Sequence, residues 1–321
     1  MNCLVTGGAG FIGSHLTEAL IADGHSVSVI DDLSTGSLQN LTSVKNHPAF
    51  SLIQGNMLNA PELPALVQQS DVIFHLAAAV GVELVVHDPI RTITTNVFGT
   101  ERVLSLASQY GKRILIASTS EVYGKSDKIP FHETDDLLIG SPKHSRWSYA
   151  CSKLLDEFML MAHVRSHALP GTVVRFFNTV GPRQTGRYGM VIPRFVSAAL
   201  QGQPLRVYGS GGQTRCFCHV FDTVRALRVV AQTPSACGEI LNIGNTESIT
   251  IYNLAKRIIS RLGSSSEIEM IPYEQAYEVG FEDMIHRSPC CEKILNLCGW
   301  QAEIPLNTIL DDVAAYLRQK L

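Results

Sequence analysis

A glycine-rich turn between a strand and a helix constrains this chain more than any other feature. Gly7-Gly8-Ala9-Gly10-Phe11-Ile12-Gly13 follows the apolar run Asn2–Thr6 and opens a helical stretch from Phe11 to Asp23. Glycines at 7, 10 and 13 let the backbone approach a pyrophosphate at the positive N-terminus of a helix, and let that helix pack closely on a sheet. A glycine turn alone can be just a tight turn; here the strand and the helix flank it. An acid, Asp31, closes the next apolar run 18 residues beyond Gly13. A carboxylate there accepts hydrogen bonds from a ribose diol and repels a 2′-phosphate, so the expected cofactor is NAD rather than NADP. The adjacent Asp32 reads as a solvated turn residue.

Apolar runs then alternate with helical stretches. Strands are expected at Ser26–Asp31, Phe50–Gln54, Asp71–Ala77, Arg113–Ser118 and Gly171–Phe176, and helices at Pro89–Gly111 and Tyr149–His167. Continuous apolar strands separated by helices predict an α/β fold, a doubly wound parallel Rossmann sheet covered on both faces. After Asn178, Gly and Pro punctuate shorter elements, and residues 250–263 and 306–319 read as helices with one apolar face. The expected division is an NAD-binding Rossmann domain over 1–177 and a smaller α/β substrate lobe over 178–321, with segments near 216–243 returning to the main sheet.

The bulk numbers exclude little but consistently. At 321 residues, 45% hydrophobic and 17% charged, the chain is an ordinary globular one. A net charge of −3 supplies no basic track for nucleic acid. A strand at Asn2–Thr6 leaves no room for a signal peptide, and no apolar run approaches the roughly 18 residues of a membrane span, so a cytoplasmic protein is expected. The 8 cysteines include Cys216/Cys218 and Cys290/Cys291, but their spacing fits no usual zinc pattern. They read as small, partly buried thiols in a reducing compartment, and no metal is expected.

The chemistry is carried by Tyr149 and Lys153. Four apart, they lie on one face of a helix. An ammonium near a phenol favours the phenolate, which can accept a hydroxyl proton while hydride leaves the same carbon. Tyr-x-x-x-Lys also arises by chance; Ser118-Thr119-Ser120 at the end of a strand strengthens it, because strand C-terminal ends carry the ligand crevice in such sheets. Thr119 can bond the same hydroxyl. Of the histidines none suggests catalysis, and His75 reads as structural. Asp222 reads as a helix N-cap. Arg183, Arg194, Arg215 and Arg287 offer forks for a pyrophosphate. For Arg183 and Arg194 a surface salt bridge is an equal alternative, and for Val207 burial in the core is.

With these residues the chain resembles the extended short-chain dehydrogenase/reductase group that acts on nucleotide sugars. The likeness includes His75-Leu76-Ala77-Ala78, Asn96-Val97-Phe98-Gly99-Thr100 and Val122-Tyr123-Gly124. It continues through Arg175–Arg183, Val207-Tyr208-Gly209 and Gln213-Thr214-Arg215. The resemblance implies an NAD enzyme with a UDP-sugar substrate and a homodimer joined through helices near 96–110 and 149–167. It implies cofactor contacts at Gly7, Gly10, Phe11, Ile12, Gly13, Asp31, Asn56, Ala77 and Asn96 with Tyr149 and Lys153. For the substrate it implies Ser120, Asn178, Arg183, Arg194, Val207, Tyr208, Arg215 and Arg287. Asn56 stands where an Asp is usual.

Thr119-Ser120-Glu121 looks like the UDP-glucuronate decarboxylases, whereas 4-epimerases of the group usually carry Ser or Thr in place of Glu121, and 4,6-dehydratases an Asp-Glu pair at 120 and 121. Arg146-Trp147-Ser148-Tyr149, Arg215-Cys216-Phe217 and Gly280-Phe281-Glu282-Asp283 followed by His286-Arg287-Ser288-Pro289 point the same way. The glycine-rich substrate loop of eukaryotic UDP-xylose synthases is not evident around Val80–His87. The expectation is C4 oxidation of UDP-glucuronate and decarboxylation to UDP-xylose or its 4-keto form. Catalytic roles would fall to Thr119, Glu121, Tyr149, Lys153 and Arg287. A UDP-glucuronate or UDP-glucose 4-epimerase is the alternative, a 4,6-dehydratase a weaker one. A silent NAD-binding regulator is a different class, against which Thr119, Tyr149 and Lys153 speak.

Overall fold

The computed structural model describes residues 1–79, 88–186, 190–276 and 284–320. The stretches Val80–His87 and Gly280–Asp283 lie outside the described residues. Seven parallel strands form the main sheet: β1 (Asn2–Thr6), β2 (Ser26–Asp31), β3 (Phe50–Gln54), β4 (Val72–His75), β5 (Arg113–Thr119), β6 (Gly171–Phe176) and β11 (Ile240–Ile243), in the order β11-β6-β5-β4-β1-β2-β3. The central strands are apolar along their whole length because both faces are covered: Cys3, Leu4 and Val5 of β1 and Ile114, Leu115 and Ile116 of β5 are all buried. The chain runs outward from β1 to β3, then crosses to β4 on the other side of β1. This reversal opens a crevice at the strands' C-terminal ends.

On one face, α1 (Phe11–Ala22) packs beside a later helix, α6 (Val220–Gln232), through Leu16, Leu20, Val224 and Leu227. On the other lie α3 (Pro89–Gln109) and α4 (Trp147–His167), which bury Val103, Leu104 and Leu160. Asp88 caps α3 by accepting from Arg91 N–H at 3.1 Å, and Pro89 takes the first-turn position where a missing N–H costs nothing. Beside α3, α2 (Leu63–Gln69) closes the β3–β4 connection.

The chain after β6 builds a second core. Ile192 and Phe195 of α5 (Val191–Leu200), Leu254 and Ile258 of α7 (Ile251–Leu262), and Ile309, Leu310 and Val313 of the C-terminal helix (Leu306–Arg318) pack together. Short strands cross above the main sheet. β9 (Thr214–Cys216) pairs with β12 (Ser248–Thr250) and with β14 (His286–Arg287), and the register sets Arg287 beside Arg215. Of the segments expected to return to the main sheet, Ile240–Ile243 pairs with β6, whereas the 220–232 stretch covers the sheet as a helix.

The capping expectation for Asp222 is corrected. His219 is the N-cap of α6, its Nδ1 accepting from Phe221 N–H at 3.0 Å. Asp222 sits in the first turn, 2% exposed, and its Oδ2 accepts from the backbone N–H groups of Glu303 and Ile304 at 2.9 and 2.8 Å. Its Oδ1 accepts from Arg225 at 2.8 Å. The carboxylate pins the strand-like segment before the C-terminal helix onto the Rossmann face. Asp222→Ala orphans two backbone donors, so it should destabilise the protein by about 1–3 kcal/mol per donor left unpaired. Urea unfolding reads this as a lower midpoint; an unmoved midpoint contradicts the assignment.

Candidate active site

The glycine turn lies at the mouth of the crevice. A side chain at Gly7, whose φ is +71°, would meet Ala77 Cα at 2.8 Å, and one at Gly13 would meet Gly7 O at 2.2 Å. Only backbone fits there, which leaves the first N–H groups of α1 open to an anion. Asp31, 8% exposed, turns its carboxylate back to the turn, accepting from Ala9 N–H at 2.9 Å and Leu33 N–H at 2.8 Å. Burial pushes its pKa up, and these two N–H groups oppose the shift. Asp32 is exposed and accepts from Ser34 N–H at 2.9 Å, a solvated turn residue at the rim of the crevice, with Asn56 donating to its Oδ2 at 3.2 Å.

A cavity of about 570 Å³ runs from this turn across the ends of β1, β4, β5 and β6 to the second lobe. Gly7, Gly10, Phe11, Ile12 and Gly13 line one end, with Asp31, Asn56 and Ala77 beside them. Thr119, Ser120, Glu121, Tyr149 and Lys153 line the middle. Asn178, Arg194, Tyr208, Arg215 and Arg287 line the far end. Arg194 lies over the Tyr208 ring at 4.5 Å and donates to its hydroxyl at 3.0 Å. Asn178, at φ +30°, donates to Cys216 O at 2.9 Å and so joins the two lobes at the cavity wall.

Three residues expected at the ligands lie outside the cavity lining. Arg183 turns to α1, paired with Glu18 at 2.7 Å and donating to Ser14 at 3.1 Å, which is the salt-bridge alternative. Val207 is fully buried in the second core. Asn96 works beneath the floor: its Oδ1 accepts from Ala79 N–H at 2.8 Å and its Nδ2 donates to Ser152 at 3.0 Å.

The chemistry residues are placed by two neighbouring elements. β5 delivers Thr119, whose hydroxyl caps a single 3-10 turn, Ser120–Tyr123, by accepting from Glu121 N–H at 3.2 Å. That turn aims Glu121 at three arginines. Arg287 Nη2 lies 3.1 Å from Oε1, Arg146 Nη2 lies 3.7 Å from Oε2, and Arg215 adds its charge. Burial works to raise the Glu121 pKa, but Arg146 and Arg287 outweigh it and hold the carboxyl below its ordinary value. Arg146, 7% exposed, has no functional signal in its residue type; its place in the decarboxylase-like stretch Arg146–Tyr149 is the hint to it. Arg287 Nε is buried and has no hydrogen-bond partner among the described residues.

Tyr149 differs from the expectation. Its phenol is pushed well up, first by burial, then by the negative charges of Glu121 and Asp156, against a hydrogen bond from Thr119 and the charge of Arg287. Lys153, one helical turn on, is drawn to the buried Asp156 carboxylate, its Nζ 2.5 Å away. His75 is structural: fully buried between Thr6 at 2.8 Å and Thr100 at 3.0 Å, it is driven down to about 3 by burial and by Lys153.

The depressed Glu121 value has a definite sign. Its contribution to stability is complete above the ordinary carboxylate value of 4.5 and is lost as pH falls through the lower folded value. Glu121→Gln should therefore be less stable than the parent at neutral pH, and the gap should close on acidification below pH 4.5. Urea midpoints measured across that range check it; a pH-independent gap contradicts it.

A model of the NAD dependent epimerase/dehydratase family matches residues 3–244. A UDP-N-acetyl-alpha-D-glucosaminuronate decarboxylase of Bacillus cytotoxicus is 41% identical over 319 residues, covering 99% of this chain and 98% of the relative. UDP-glucuronic acid decarboxylase 1 of Danio rerio is 37% identical, over 99% of this chain and 73% of that protein. Among solved structures, the UDP-glucuronic acid 4-epimerase of Bacillus cereus, in complex with UDP-glucuronic acid and NAD, superposes with a TM-score of 0.88 at 28% identity, over 100% of both chains. The glycine turn, the acid that ends β2 and the Tyr149/Lys153 helix fit that cofactor, and the chain belongs to the NAD dependent epimerase/dehydratase family, with NAD as its cofactor.

Proposed function

We propose that the protein is an NAD-dependent decarboxylase of a UDP-hexuronate, with UDP-glucuronate as substrate and UDP-xylose or its 4-keto form as product. The observation that carries this reading is Glu121 held between Arg287 and Arg146 next to Tyr149. The buried Arg287 Nε has no hydrogen-bond partner among the described residues, and a guanidinium donor of this kind suits a carboxylate. The decarboxylases of Danio rerio and Bacillus cytotoxicus support it.

NAD+, which the glycine turn and Asp31 would hold, would supply a hydride acceptor for C4 and, once reduced, a hydride donor for the ketone. Tyr149 takes the C4 hydroxyl proton, with Thr119 bonded to the phenol. The resulting ketone is β to the C6 carboxylate. When the C5–C6 bond breaks, its electron pair moves onto the C4 oxygen as an enolate and carbon dioxide leaves. Thr119 and Tyr149 stabilise that oxygen as charge develops. Glu121 and Arg287 orient the carboxylate and the group that returns a proton to C5. On this reading Asp31 and Asn56 hold the adenosine half of the cofactor, while Ser120, Asn178, Arg194, Tyr208 and Arg215 hold the UDP-sugar.

A second reading of the substrate is UDP-N-acetylglucosaminuronate, favoured by the 41% identity to the Bacillus cytotoxicus enzyme. Incubation with NAD+ and each UDP-hexuronate, followed by proton NMR, separates the possibilities. A UDP-pentose or 4-keto pentose from UDP-glucuronate is expected. Turnover only of the N-acetyl sugar selects the second reading, and UDP-galacturonate without pentose makes the enzyme a 4-epimerase and overturns the proposal. Arg287→Ala should lower kcat/KM for decarboxylation by about thirtyfold or more, the lower end of removing one partner of a buried charge pair.

We also infer a homodimer through α3 and α4, in a reducing cytoplasm suited to eight free thiols. Ile90, Ile93 and Phe98 on α3 and Leu155 and Phe158 on α4 are exposed large apolar side chains on two adjacent helices. Light scattering should give twice the monomer mass, and Phe158→Glu should shift it toward monomer; a monomeric parent refutes the inference.

A further inference from the structure

The Lys153–Asp156 pair is not explained by the chemistry above. Asp156 is fully buried and Lys153 is 2% exposed. Burying both charges is costly, and a pair of apolar side chains of similar volume is often as stable. The neighbouring Glu157 is matched by its own partner, Arg175, at 2.7 and 3.0 Å, and by Ser118. Among the described residues, Lys153 is the only ion-pair partner of Asp156.

A chain of hydrogen bonds beneath the cavity also runs to Thr100, which faces Asp156. Ala77 N–H, at the cofactor end of the cavity, donates to Thr6 Oγ1 at 3.2 Å. Thr6 Oγ1 lies 2.8 Å from His75 Nδ1, and His75 Nε2 lies 3.0 Å from Thr100 Oγ1. Thr100 in turn faces Asp156: burial pushes the carboxyl pKa up, while Lys153 and then Thr100 favour its ionised form, and Asp156 Oδ1 has no hydrogen-bond partner among the described residues. A neutral imidazole has one donor and one acceptor. If Thr6 donates to Nδ1, the proton sits on Nε2, Thr100 receives it, and the Thr100 proton points to Asp156. An ionised carboxylate only accepts, so it completes the series from one side while the Lys153 ammonium completes it from the other.

We propose that Asp156 is a positioning residue for Lys153: it anchors the ammonium, through Thr100, His75 and Thr6, to the strand that carries the cofactor turn, and sets how much of that positive charge reaches Tyr149. This rests on the reading of Tyr149 as the base. Several groups face the pair and the phenol. Thr100 reaches Asp156 from α3, His75 faces Lys153 from β4, and Glu157 lies beside Asp156 on α4. Glu121 from the 3-10 turn, Thr119 from β5 and Arg287 from β14 face Tyr149. Asp156 opposes ionisation of the phenol directly, and also by drawing on the lysine charge.

Asp156→Asn removes the charge and keeps the shape. Both effects then favour the phenolate, so the acid limb of the pH–kcat profile should move down by about one pH unit. NAD+ affinity, read by calorimetry without substrate, should weaken by about threefold as Lys153 loses its anchor. Asp156→Glu keeps the charge and should hold the parent's limb even if kcat falls. Thr100→Val leaves the ion pair in place and removes one bond that favours the carboxylate, so it should move the limb in the same sense by less, and it serves if the Asn variant does not fold. An unmoved limb in the variants that fold, or equal losses in the Asn and Glu variants that follow their melting temperatures, overturns the proposal. Tyr149→Phe separates the two readings: if it abolishes C4 oxidation while Asp156→Asn behaves as the parent, the base stands and the positioning role falls. If Tyr149→Phe stays active, the base assignment itself fails.

Discussion

Where β1 and β4 end side by side, the backbones of Gly7 and Ala77 come so close that no Cβ fits between them. The rest of the site depends on this approach. The two strands are neighbours only because the chain reverses direction in the sheet between β3 and β4. That reversal leaves their C-terminal ends uncovered, and the glycine turn fills the gap with bare backbone. One strand step back, Thr6 and His75 pair in register and begin the polar line that runs beneath the cavity to Thr100.

Electrostatics divides the cavity. Its cofactor end holds Asp31 and Asp32, whereas Arg146, Arg215 and Arg287 gather around Glu121. A chain with a net charge of −3 thus gathers three guanidiniums around one carboxylate at the middle of the cavity. Local placement does this, since the global field is weak. Burial strengthens each interaction and raises the cost of any charge left unmatched. Glu121, Glu157, Asp156 and Asp222 all meet cations, and the last three are almost wholly buried.

Much of this was legible beforehand. The strands of the parallel sheet show as continuous apolar runs, and the turn glycines and Asp31 follow a spacing that local geometry requires. Tyr149 and Lys153 share a helix face by periodicity alone. Arg146 and Asp156 were less visible: an arginine or aspartate on a helix is most often solvated, and nothing local reveals that both are buried here. Arg183 and Val207 stand in family-like stretches, but the tertiary packing turned one toward Glu18 and folded the other into the second core. Asp222 has the residue type of a cap, yet His219 reached the helix end first and left the carboxylate to bind a segment some eighty residues away.

The sequence by itself determined the doubly wound sheet, the dinucleotide turn and the tyrosine–lysine pair, because each follows from periodicity, spacing or the steric freedom of glycine within a short stretch of chain. The tertiary structure decided which charges meet. Glu121 finds Arg287 across 166 residues, and His75 joins Thr6 to Thr100. Contacts of this kind depend on strand order and on how two cores are seated, and no local pattern encodes them. They set the ionisation of the groups that carry the chemistry, since burial and the nearest charge, rather than residue type, fix where a buried proton resides.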